Sequence, residues 1–77
     1  MTMNQKVLTK FKEEVEKRYY GWLADEIYFK EMAKRAKNNS PEKVAALAEL
    51  KQARVNISKD KLYLECIEAV IKDSLKH

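Results

Sequence analysis

Apolar residues in the first half of the chain recur three and four positions apart. Leu8, Phe11, Val15, Tyr19, Trp22, Phe29, Ala33 and Ala36 form the series, and Glu26 fills its one gap. A 3.6-residue period brings such positions onto one face, so the spacing predicts an amphipathic helix over about residues 4–37. A second series runs Ala46, Leu50, Ala53, Ile57, Asp60, Leu64, Ile67, Ile71 and Ser74. Its steps alternate four and three without a slip. This heptad pattern predicts one helix over about residues 41–75. A competing reading breaks that helix at Asn56-Ile57-Ser58, with Ser58 as a new N-cap, and gives three helices. The heptad phase runs unbroken through the segment and favours two.

The punctuation between the series is Asn38-Asn39-Ser40-Pro41-Glu42. Asn is the usual substitute for Gly in a left-handed helix end. Ser40 reads as an N-cap, Pro41 as the first helical residue, and Glu42 as negative charge on the first turn. A turn over 38–40 makes the helices antiparallel neighbours. Folding about it pairs residues whose numbers sum to about 79. Leu8 then meets Ile71, Phe11 falls beside Ile67, Val15 meets Leu64, Trp22 meets Ile57, Phe29 meets Leu50 and Ala33 meets Ala46. Two separately read stripes coincide in one register, which predicts an all-α antiparallel helical hairpin as a single helical domain over residues 1–77. Tyr19 falls opposite Asp60, where its hydroxyl could partner the carboxylate. Glu26 lies opposite Ala53, within reach of Arg54 or Lys30. Such polar seam positions fix register in coiled coils. Along the first helix, Glu13–Lys17, Glu14–Arg18, Glu26–Lys30 and Glu31–Arg35 have favourable i,i+4 order. Gly21 falls mid-helix and suggests a bend or a close contact.

Each helix carries apolar residues that one seam cannot absorb. On the first these are Tyr20, Leu23 and Ile27. On the second they are Val44, Ala48, Val55, Leu62, Cys66, Ala69 and Val70. The surplus calls for a partner surface, and a homodimer forming a four-helix bundle is the simplest expectation. Tyr28 also falls outside the seam, where an aromatic side chain suits a protein interface. The candidate dimer or partner interface is therefore Tyr20, Leu23, Ile27, Tyr28, Val55, Leu62 and Cys66.

Composition narrows the classes further. Two residues in 77 are Gly or Pro, too few for the turns of a β-rich fold. A chain this short is marginal alone, which again favours association. The one cysteine cannot form an internal disulfide and suits a cytoplasmic protein. No apolar run approaches the roughly 18 residues of a membrane span. The polar N-terminus lacks the apolar stretch of a signal peptide.

Catalytic chemistry is sparse. Cys66 is flanked by Glu65 and Glu68, which disfavour a thiolate, so it reads as a small buried apolar residue. His77, the one histidine, reads as a solvated tail residue. Glu13, Glu14 and Glu16 point different ways around a helix, and no metal motif is present. Asp60 and Glu26 sit about two turns apart on the seam, too far for paired-carboxylate chemistry. The expectation is a non-enzymatic chain with no cofactor.

There are 16 Lys and Arg residues against 12 Asp and Glu, a net charge of +4. Lys34, Arg35, Lys37 and Lys43 gather at the hairpin tip, and Lys6, Lys10, Lys12, Lys72 and Lys76 at the open end. The leading expectation is a protein-binding module, an adaptor or regulator that pairs with itself and with an unidentified protein. The alternative is a nucleic-acid-binding dimer whose tip residues Lys34, Arg35, Lys37 and Lys43 grip phosphates. A third reading is an enzyme subunit whose site forms only with a partner.

Overall fold

A computed structural model describes residues 3–75. Two helices, α1 (Met3–Arg35) and α2 (Pro41–Leu75), pack along each other as an antiparallel hairpin. The chain measures 57 × 14 × 13 Å. α2 is continuous through Asn56-Ile57-Ser58, so the three-helix alternative falls.

The turn follows local chemistry. Asn39 is left-handed, with φ 65°. The Ser40 hydroxyl oxygen accepts from the Lys43 amide at 3.2 Å, the N-cap bond to the third helical residue. The same hydroxyl donates to the Lys37 carbonyl at 2.6 Å, and the Ser40 amide bonds that carbonyl at 3.1 Å. With its carbonyl committed to the turn, Lys37 lies outside α1. The helix therefore ends two residues before the expected boundary.

The seam of α2 is as expected. Ala46, Leu50, Ala53, Asp60 and Ile67 are buried, and Ile57, Leu64, Ile71 and Ser74 are half-buried. On α1 one position changes. Phe11, expected on the apolar face, is 50 % exposed. Half-buried Lys12 takes the seam instead, and its ammonium lies 3.3 Å from Glu68 and 3.9 Å from Glu16. The cause is phase. A heptad through Leu8 and Val15 steps by four and then three, which selects residue 12. Hydrophobicity alone selected its neighbour, about 100° away around the helix.

Three ion pairs between the helices fall in the expected register. Arg18–Asp60, Glu26–Arg54 and Lys12–Glu68 each fall within one residue of the expected pairing. Gly21 neither closes a contact nor leaves right-handed backbone. A Cβ built on it meets nothing within 4 Å. Gly21→Ala is therefore expected to stabilise the hairpin by about 1 kcal/mol through helix propensity alone. Thermal melts followed at 222 nm would register this as a higher midpoint.

Candidate functional site

Asp60 is the most deeply placed ionisable residue among those described, at 2 % exposure. The seam brings it under α1, where Arg18 rather than Tyr19 supplies its partner. Arg18 Nε donates to Asp60 Oδ2 at 2.9 Å, and its terminal nitrogen Nη2 donates to Oδ1 at 2.8 Å. This two-point fork is beyond a phenol's single hydroxyl, and it draws Arg18 away from the expected pairing with Glu14. Arg18's hydrogen bonds hold the Asp60 carboxyl below the usual carboxylate range, although burial pushes it up. The nearby Trp22 indole acts in the same downward direction. Asp60 in turn raises the Arg18 guanidinium.

Glu26, the other seam carboxylate, accepts from Arg54 Nε at 3.3 Å, as the register anticipated. Each seam carboxylate thus faces an arginine of the opposite helix. Both pairs are compatible with the alignment of the apolar seam. Among the described residues, no group of three or more His, Cys, Asp or Glu side chains is placed to hold a metal ion. His77 and Lys76 lie outside the described residues.

The expected interface residues fall on separate faces. Tyr20 and Ile27 are 64 % and 70 % exposed, with half-buried Leu23 between them on the same side of α1. Val55 and Leu62 are exposed on the back of α2. Each lies two residues beyond a buried one, Ala53 or Asp60, and is turned about 200° from the seam. Cys66, expected to be buried, is exposed. It sits one residue before Ile67, the seam position, and four after Leu62 on the back face. Tyr28 is exposed on the other flank of α1, its ring edge-on to Phe29 at 5.1 Å.

Two open grooves mark the side that holds Ile27. One, of about 610 Å³, lies near the hairpin tip with Ile27, Ala33, Leu47 and Leu50 as apolar lining and Lys30, Lys34 and Lys43 among its walls. The other, of about 300 Å³, lies at the open end between Lys12, Glu68, Ile71, Lys72 and Leu75. Sequence reading found the apolar centre of this side but not its charged flanks.

The basic tip is partly spent. Arg35 Nε bonds Glu31 at 2.9 Å, the expected i,i+4 pair, and holds the Glu31 carboxyl below its usual range. Lys43 donates to the Asn38 side-chain carbonyl at 2.8 Å. Lys34 and Lys37 are exposed.

No family model matches this chain, and no curated protein or solved structure matches it. No helix among the described residues is long and apolar enough to cross a membrane.

Proposed function

We propose that this chain is a non-enzymatic protein-binding module, an adaptor or regulator, that works as a self-associating helical hairpin. One observation carries the reading. Tyr20, Ile27, Tyr28, Val55 and Leu62 are all more than half exposed, on a two-helix fold whose seam is already filled. Apolar area of this kind gains free energy only against another surface. Self-association uses one face, and the remaining exposed aromatics, with Tyr28 foremost, serve a second protein. A reducing compartment such as the cytoplasm suits the exposed thiol of Cys66.

Sedimentation across a dilution series tests the self-association. A mass above the 9.1 kDa chain at tens of micromolar is expected. A single-chain mass throughout that range would overturn it. Phosphate binding at the tip is the weaker reading, because Arg35 and Lys43 already hold local partners. A labelled DNA or RNA duplex retained at low salt and released steeply as salt rises would favour it instead.

A further inference from the structure

The side of α1 that carries Tyr20, Leu23 and Ile27 reads, in steps of three and four, Glu13, Glu16, Tyr20, Leu23, Ile27, Lys30 and Lys34. The series is its own complement when reversed. Two acids precede an apolar centre and two lysines follow it. We propose that α1 pairs with α1 of a second copy in antiparallel sense, across a two-fold axis at Leu23. The proposal rests on the self-association read above and specifies its face, orientation and register.

In this arrangement Leu23 meets its own copy. Tyr20 meets Ile27, Glu16 meets Lys30, and Glu13 meets Lys34. A two-fold axis repeats each unlike contact, so four ion pairs flank the apolar centre. Parallel alignment of the same stripes would set Glu against Glu and Lys against Lys, so the charge order selects the antiparallel dimer.

The surroundings agree with this occupant. The groove at the tip has three lysines among its walls, Lys30, Lys34 and Lys43, an apolar lining, and Glu31, whose charge is already answered by Arg35. Glu13 and Glu16 of the second copy come level with it and bring negative charge on apolar stems. The axis at Leu23 lies near the middle of the hairpin, so the two copies overlap along most of their length. Two hairpins joined this way make a four-helix bundle. The back of α2, with Val55, Leu62 and Cys66, and the flank with Tyr28 stay outward for a foreign protein.

Charge reversal tests the pairing without removing apolar area. The double variant Glu13→Lys, Glu16→Lys carries lysine at all four flanking sites, and Lys30→Glu, Lys34→Glu carries glutamate at all four. Each alone is expected to lose about 100-fold in dimer affinity. An equimolar mixture should recover a species of twice the chain mass. Circular dichroism confirms that each variant remains helical. Either variant dimerising alone as tightly as the parent would overturn this face while leaving self-association intact. A parent that stays single-chain would overturn both.

Orientation is read separately. A spin label at Asn38→Cys, in a Cys66→Ser background, should show a label-to-label distance of about 45 Å, given the 1.5 Å rise per residue from Leu23. A distance under about 20 Å would mean that the tips lie together, as in a parallel pair, and would overturn the antiparallel register.

Discussion

Replacing Trp22 with alanine is expected to cost the hairpin about 2–3 kcal/mol. Trp22 is half-buried on the seam and paired by register with Ile57. Fully buried Trp→Ala changes cost about 3–5 kcal/mol, and partial exposure lowers that figure. The nearby indole also helps hold the Asp60 carboxylate ionised. The substitution thus removes apolar area beside a buried charge. A chain of this length has a total stability of roughly 4–11 kcal/mol, so the loss is a large fraction of the whole. Urea titration of the variant at matched concentration should show an earlier midpoint. A midpoint equal to the parent's would show that the centre of the seam contributes little.

Arg18→Met is expected to strand the Asp60 charge and change how stability depends on pH. In the parent, the folded Asp60 carboxyl lies below its ordinary value of 3.8. The unfolded chain then takes up the proton first on acidification. Asp60's contribution is fully present above about pH 5 and is lost as pH falls through the ordinary and then the folded value. Without Arg18 the main downward influence is gone and burial remains, so the folded value rises. The charged carboxylate then weakens the fold at neutral pH, and protonation relieves it. The gap in melting temperature between parent and variant should therefore be widest at pH 7 and close toward pH 3. The effect stays smaller than for a deep protein interior. The hairpin is only 13–14 Å thick, and Arg18 itself is half exposed to water.

Asp60→Leu separates charge from packing. Replacing a buried ionic group by an apolar one of similar size is often neutral or stabilising. This variant should melt close to the parent at pH 7 while Arg18→Met does not. Equal melting of Arg18→Met and parent at pH 7 would show that the fork contributes nothing.

Much of the candidate interface was legible before folding. Tyr20, Leu23 and Ile27 stand out by surplus hydrophobicity at helical spacing, and the hairpin leaves Tyr20 and Ile27 exposed with Leu23 half-buried between them. Their charged neighbours were harder to read. Glu13, Glu16, Lys30 and Lys34 look like an ordinary solvated face; the hairpin places Lys30 and Lys34 on the walls of one groove, and helical spacing puts the two glutamates on the same side of α1. A reversed charge order at three-four spacing is the signal that could have found them.

Repetition determined the secondary structure and its alignment. Nine seam positions of α2 in alternating steps, an Asn at the left-handed residue and a Ser–Pro start leave the backbone little choice. Three cross-helix ion pairs fall in the resulting register. Tertiary structure alone decided which long polar side chain answers which charge, and which of two neighbours faces inward. Arg18 displaced Tyr19 at Asp60, Lys12 displaced Phe11 on the seam, and Cys66 turned outward. The physical reason is angular. A repeat is fixed by many residues acting together. The outcome at one site turns on about 100° of rotation and a few ångströms of reach, which become definite only when the second helix is in place.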